Sequence, residues 1–364
     1  FPVWMVDRGL STGEIGVILG FPALMRVLFS APLTALADTR FRVSVLLAAC
    51  LGAVTLGYVI LAGAYGFWPV LILVVMVSIP NAAIVPLADA LAMVHVRATG
   101  MSYGTVRVWG SIAFLVTNIA AGAIIAVTGA TLVVPAIALL NGLAAVAAFS
   151  FPTTEKPEAA VAAHAPQGAA SAGHPELLML VIVASAAIQS SHAAMYGFGT
   201  LRWVDLGYSG AMVGVLWALG VAAEIVLFLF LPGRALTGAL AALGLVVGGM
   251  AALLRFGLIA LDIRLGLAGE AALQMLHAGS FGATHLAAVA LMASLAPPGR
   301  RAWAQGRLYA THAFAMSAAM MVAGRLYAVE PRFAFAAMLV PAGVGLFAAG
   351  LLARKTSFLR PNLD

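Results

Sequence analysis

Charge is the scarcest property of this sequence. Asp, Glu, Lys and Arg make up 9% of its 364 residues, whereas a water-soluble domain carries about a quarter. Hydrophobic residues make up 63% and the mean hydropathy is +1.07. Such a chain cannot cover its surface with polar groups in water, so its solvent is lipid. Cysteine is nearly missing too. Cys50 stands alone, which excludes a disulfide within the chain and leaves the redox compartment unread. No nucleophile–base pair, metal-ligand cluster or phosphate-binding loop is visible, and no polar segment is long enough for a soluble signalling domain. A membrane enzyme or sensor therefore has no residues to support it. Strict polar/apolar alternation is missing as well, which argues against a membrane β-barrel.

What is present is a series of apolar runs, each near the 20 residues a membrane helix needs. Polar breaks delimit them near residues 12–36, 42–64, 68–94, 101–127, 130–151, 176–200, 209–231, 235–260, 264–295, 300–327 and 332–354. Phe1–Val6 reads as the end of a further helix that begins before the first residue given. The expectation is an all-α polytopic protein of twelve spans, numbered here on that basis. Loops after the even spans, with the C-terminus, hold Arg40, Arg42, Arg97, Lys156, Arg234, Arg300, Arg301, Arg354, Lys355 and Arg360. The opposite loops hold Arg8, Arg202, Arg264 and Arg332. That bias places the first set and the C-terminus in the cytoplasm, as in a multi-pass inner-membrane protein. The net charge of +6 is thus a topology signal, and nucleic acid is not an expected partner.

The longest polar break, rich in Ala, Pro and Gly, divides the chain into a six-span bundle at 1–151, a cytoplasmic linker at 152–175 and a second bundle at 176–364. His164 and His174 read as solvated linker residues. The halves are weakly alike. LSTGEIGV from Leu10 lines up with YSGAMVGV from Tyr208, and the same offset sets Arg26 opposite Glu224. A repeat of this kind recurs in carriers that work by alternating access, with the site between the halves.

Ionisable residues inside spans cost about 2.5–3.5 kcal/mol each on insertion scales, so each needs a partner or a wet cavity. Arg26, Asp89, Arg107, Glu224, Arg255 and Glu270 are of this kind, joined by His192, His277, His285 and His312. Asp89 and Arg107 are equally far from the turn between spans 4 and 5, and so share a depth. Arg255 and Glu270 do the same about the turn between spans 9 and 10. Each pair is either a structural ion pair or part of a site, and equal depth does not show that the side chains face each other. His277 and His285, eight residues apart, fall near one face of span 10, and Gln274 lies one turn before His277. Trp68, Trp203 and Trp303 suit the interfacial belt, whereas Trp109 and Trp217 sit deep enough to stack on a ligand ring. Gly244 and Gly248 have the spacing of close helix contact without naming a partner.

The run VPLADALAMVHVRATGMSYGTVRVWGSIAF in spans 4 and 5 resembles the signature of the phenylpropionate permease family, a branch of the major facilitator superfamily related to lactose permease. SHAAMYGF (Ser191–Phe198), LWALGVAAEIVLF (Leu216–Phe228), LLRFG (Leu253–Gly257) and MLHAGSFGATHLAA (Met275–Ala288) resemble it too, so the likeness touches both halves. It implies the major facilitator fold, two pseudo-symmetric six-helix bundles and proton-driven uptake of small aromatic acids or related solutes. Asp89 and Arg107 match the acid and arginine with which the lactose permease relative binds its substrate. Ser111 and Phe114 fall on its sugar site, with Phe114 replacing a tryptophan that stacks on the sugar, a departure that weighs against sugar as substrate. Arg255 and His277 match coupling positions. Ser280 stands where the relative carries its proton on an acid, which moves that role here to Glu224 or, second, to Glu270.

The expectation is a monomeric secondary transporter without a cofactor, coupled to protons and acting on a small molecule within the lipid bilayer. Arg107, helped by Arg26, would hold a substrate carboxylate. Asp89 would orient Arg107, while Trp109, Ser111, Phe114, His192 and Tyr196 line the site. Glu224, Arg255, His277 and Glu270 would handle the proton. The alternatives are proton-driven efflux of drugs or metabolites, and nucleoside or oligosaccharide symport on the same fold.

Overall fold

The computed structural model describes residues 1–99, 103–151, 174–230, 238–263, 265–296 and 301–358. The side chains of 38–39, 93–99, 103–108, 111, 293, 301–303, 305 and 356–358 lie outside that description. Every regular element among the described residues is helical: α1 (Pro2–Asp7), α2 (Thr12–Thr39), α3 (Val43–Ala62), α4 (Phe67–Thr99), α5 (Tyr103–Thr128), α6 (Val133–Ser150), α7 (Pro175–Ser190), α8 (Ala193–Asp205), α9 (Gly210–Phe230), α10 (Gly238–Ala260), α11 (Gly266–Met275), α12 (Thr284–Leu295), α13 (Arg301–Val329), α14 (Pro331–Ala337) and α15 (Leu339–Phe358). A π-helical segment, Ala278–Ala283, lies between α11 and α12.

Nine of the described stretches are long and apolar enough to cross a membrane. Ile112–Thr128 within α5 is a shorter apolar helix outside the nine, and α13, which carries Arg307, His312 and Arg325, is not among them either. Hydropathy counts each polar residue alike, whether or not the fold gives it a partner. Three spans expected to be continuous are interrupted. Residues 175–205 form α7 and α8, 266–295 form α11, the π segment and α12, and 331–358 form α14 and α15.

The chain divides into two compact units, Phe1–Ala163 with Ser209–Ala211, and His164–Tyr208 with Met212–Asp364. Residues 152–173 of the expected linker lie outside the described residues. In the first unit Ser11 opens α2 with a capping box, accepting from Glu14 N while the Glu14 carboxylate accepts from Ser11 N; this satisfies two donors that every helix start leaves free. Leu47, Ala48, Leu51, Ala83, Leu87 and Ala148 form a core across α3, α4 and α6. Arg8, read from the sequence as a loop cation, is a clasp: it donates to Ala62 O at 2.8 Å and lies 4.2 Å over the Tyr65 ring and 5.0 Å over Trp4.

In the second unit Val181, Ala184, Ala242, Leu245, Ala288, Leu308 and Ala349 bring α7, α10, α12, α13 and α15 together. Lipid tails are as apolar as these side chains, so close packing rather than escape from water holds them. Gly244 and Gly248 now have their partner. A methyl at Gly244 would lie 3.1 Å from Ala287 Cβ, and one at Gly248 would lie 3.3 Å from Gly279 O and overlap the Thr284 hydroxyl. The π segment and α12 therefore run against the glycine face of α10.

Candidate functional site

The interruption between α7 and α8 has a local cause in the sequence Gln189-Ser190-Ser191-His192. Ser190 Oγ donates to Ala187 O at 3.0 Å and Ser191 Oγ donates to Ile188 O at 2.6 Å. His192 Nδ1 reaches Ile188 O and Gln189 O, both at 3.2 Å. Consecutive side-chain donors compete for the carbonyls that the helix itself would use. Carbonyls only accept, so Nδ1 carries the hydrogen and Nε2 is left to accept from Ser280 Oγ at 2.9 Å. Ser280 lies on the π segment, and such widened turns are frequent at functional sites. One hydrogen bond thus ties the interruption of the first broken span to that of the second. Gln189 Nε2 adds a contact to Phe281 O at 3.4 Å.

Around this junction the structure gathers five of the expected residues, His192 included. Arg255 on α10 is 1% exposed. It donates to Gln274 Oε1 at 2.5 Å and to His277 Nδ1 at 3.2 Å, with its guanidinium 5.5 Å from the centre of the Phe256 ring. A guanidinium has no acceptor, so Nδ1 accepts and a neutral His277 carries its hydrogen on Nε2. That atom faces Glu224 Oε2 of α9 at 3.7 Å. Glu224, His277 and Arg255 thus form one chain across α9, α11 with its continuation, and α10, and the ring of His192 stands 5.4 Å from that of His277. Aromatic faces flank the chain. Tyr196 lies 5.7 Å from His192, 6.2 Å from His277 and 6.2 Å from Trp217, and Phe281 stacks on His277 at 5.0 Å. Arg255 Nε, Gln274 Nε2 and Gln189 Oε1 are buried and find no hydrogen-bond partner among the described residues. Buried polar atoms left so are expected to meet water or a ligand.

Glu270 does not belong to this chain, and the equal depth of Arg255 and Glu270 does not make them a pair. Arg202 holds Glu270 in a two-pronged ion pair, Nη1 to Oε2 at 2.7 Å and Nη2 to Oε1 at 2.8 Å, and Trp203 Nε1 donates to Oε2 at 2.9 Å. Arg202, expected in a loop, is 8% exposed, and Trp203, expected in the interfacial belt, is fully buried against Trp217. Span 7 continues past its expected end at residue 200 to Asp205, which carries both residues inward. No motif announces this pair, whose members are 68 residues apart.

In the first unit the expected residues are disposed otherwise. Arg26 is exposed on α2, Asp89 is half-buried on α4, and Trp109 and Phe114 are exposed on α5 at 68% and 49%. The side chains of Arg107 and Ser111 lie outside the described residues, so the expected contact of Asp89 with Arg107 does too. In the second unit His312 on α13 pairs with Ser185 on α7 at 2.6 Å, and His285 ends a stack that runs from His277 through Phe281.

Comparison with known proteins gives these features a context. Residues 1–337 match the family described as "MFS_1 like family". The "Probable 3-phenylpropionic acid transporter" of Escherichia coli (strain K12) is 28% identical over 375 residues, covering 99% of this chain and 92% of that one. The "Maltose permease" of Geobacillus stearothermophilus is 39% identical over 119 residues, or 32% of this chain and 29% of that protein. Among solved structures, that of a point mutant of the nucleoside transporter NupG superposes with a TM-score of 0.79 at 15% identity, covering 96% of this chain and 93% of that one. A point mutant of the peptide transporter POT gives 0.75 at 13% identity, covering 99% and 89%. At such identities the structural likeness speaks for the fold alone, which is that of major facilitator transporters. The chain belongs to the MFS_1-like family: it is a multi-pass membrane transporter and not an enzyme.

Proposed function

We propose that this transporter takes up a small aromatic carboxylic acid together with a proton, by alternating access, across the inner membrane and with its C-terminus in the cytoplasm. The observation that carries this reading is the chain Glu224–His277–Arg255–Gln274, in which a half-buried carboxylate leads to three buried side chains. A carboxylate, a neutral imidazole and a guanidinium stand in sequence inside a membrane bundle. Groups so placed are costly unless they bind a passenger or handle charge, and the chain holds an acid that can take a proton beside an imidazole that can share it. The near full-length likeness to a protein named as a 3-phenylpropionic acid transporter supports the choice of substrate. The aromatic faces of Tyr196, Trp217 and Phe281 suit an apolar ring, and the orphaned donors of Arg255 and Gln274 suit its polar end.

In this reading Arg107, with Arg26, holds the substrate carboxylate and Asp89 orients Arg107, as the family resemblance implies. Trp109, Ser111, Phe114, His192 and Tyr196 are the residues proposed to contact the substrate. Glu224 takes the proton, with His277 and Arg255 setting its readiness to do so. Glu270 is assigned to holding the second unit together, since Arg202 and Trp203 engage both of its oxygens. The test is uptake of labelled 3-phenylpropionate into proteoliposomes with and without an inward proton gradient. Accumulation above the external level should occur only with the gradient. Accumulation without it removes the coupling, and uptake of a nucleoside or disaccharide in its place moves the substrate class.

A further inference from the structure

Two titratable side chains of the second unit have no part in the arrangement above: His285 on α12 and His312 on α13. They stand apart from the chain of Glu224 and His277, His285 at the start of α12 and His312 on α13. His277 and His285 are eight residues apart, about 12 Å along a helix at 1.5 Å per residue. That gap is too wide for their rings to bond each other directly, and a phenyl ring stands in it. Phe281 stacks on His277 with ring centres 5.0 Å apart and planes 18° apart, and on His285 at 6.2 Å and 11°. Beyond it, His312 Nε2 bonds Ser185 Oγ of α7 at 2.6 Å, with the Tyr309 ring 6.3 Å away, and His285 interacts with His312 electrostatically.

The two sides of the ring therefore differ in kind. On one side stand Glu224 from α9, Arg255 from α10, and His192 and Tyr196 from the broken first span, all grouped about His277. On the other stand His285 from α12, His312 and Tyr309 from α13, and Ser185 from α7. Between them the phenyl ring has neither donor nor acceptor. It sits on the π segment, a widened turn of the kind frequent at functional sites.

We infer that His285 and His312 form an inner station for the transported proton, and that Phe281 is the apolar plug separating it from the central station at Glu224 and His277. This rests on the proton-coupled reading above. With the ring in place, the path from one station to the other is interrupted by a group that cannot pass a proton, and an apolar constriction of this kind stays dry. When the ring withdraws, a proton held by the central pair passes over admitted water to a ring nitrogen of His285. It goes on to His312 and then to the inner solution. Only N–H and O–H bonds are made and broken, and the proton carries its own charge from site to site.

The test uses the full chain in liposomes enclosing a pH-sensitive dye, without substrate, under an imposed pH gradient. Phe281→Ala should raise proton leak by about tenfold or more over the parent protein, and Phe281→Leu, which restores apolar bulk, should close it again. Tight vesicles with Phe281→Ala protein that melts in detergent as the parent does would overturn the plug, as would an equal leak in Phe281→Leu. His285→Gln and His312→Gln should each slow gradient-driven net uptake while leaving substrate exchange intact, because exchange releases no proton. Unchanged net uptake in both variants overturns the inner station, and so does an equal fall in exchange and net uptake. A parent protein that transports 3-phenylpropionate with no accompanying proton flux sinks the coupled reading instead, an outcome read separately from all of these.

Discussion

The two units treat their polar residues in opposite ways. Among the described residues, buried polar side chains of the first unit are Ser44 and Ser78, whereas those of the second include His192, Arg202, Arg255, Glu270, Gln274, His277 and Ser280. The second unit tolerates such burial because its ionisable groups find partners within the same bundle. Arg202 has Glu270, Arg255 has Gln274 and His277, and His192 has Ser280. The first unit keeps Arg26 and Asp89 nearer its surface. The lesson is one of division of labour. The second unit is pre-organised around its charges, and in the proposed reading the first presents its own for a passenger to complete.

The sharpest way to break this contrast is to leave one buried charge alone. Glu270→Gln should destabilise the protein in detergent by about 3–5 kcal/mol, because Arg202 then remains buried and uncompensated. The double variant Arg202→Met with Glu270→Met should recover much of that loss. Thermal unfolding followed by tryptophan fluorescence reads both, and a double variant no better than the single one would refute the pairing as the cause. A smaller effect, and on binding rather than stability, is expected in the first unit. Arg107→Ala should weaken 3-phenylpropionate by about 1.5–3 kcal/mol, the range for a charge-assisted hydrogen bond, with the melting temperature little changed. Calorimetric titration giving the parent affinity would take Arg107 out of the substrate site.

Smallest, and opposite in sign between the units, are two glycine substitutions. Gly248→Ala should cost about 1–3 kcal/mol, since its methyl meets the Thr284 hydroxyl and the Gly279 carbonyl. Gly52→Ala on α3 meets nothing within 4 Å and should stabilise by about 0.4–1 kcal/mol through the unfolded chain. Equal melting temperatures for the two would mean that α10 and α12 are not held as closely as their small residues imply.

Much of the fold is legible in the sequence, because about 20 apolar residues in a row have few other solutions. The place of Arg255 and His277 is legible too, through spacing and resemblance. What escapes is direction around the helix axis. Hairpin symmetry gives Arg255 and Glu270 one depth, but the azimuth that turns Glu270 to Arg202 depends on packing that spacing does not encode. Arg202 and Trp203 were expected at the surface for a related reason. A hydropathy profile ends span 7 where polar side chains begin, although the carboxylate that makes those side chains tolerable inside lies 68 residues further on. The break at Ser190–His192 leaves a readable trace, three adjacent side-chain donors in an apolar run, whereas the widened turn at Ala278–Ala283 leaves none in composition.

The bond from His192 to Ser280 joins two of the places where the second unit's spans depart from regular geometry. A joint of this kind makes the bends interdependent. Straightening either span would pull its side chain away from the other and strand a buried imidazole nitrogen, so the two bends must relax together or not at all. Any ligand or proton that loosens one of them therefore acts on both, and two bends behave as a single internal hinge.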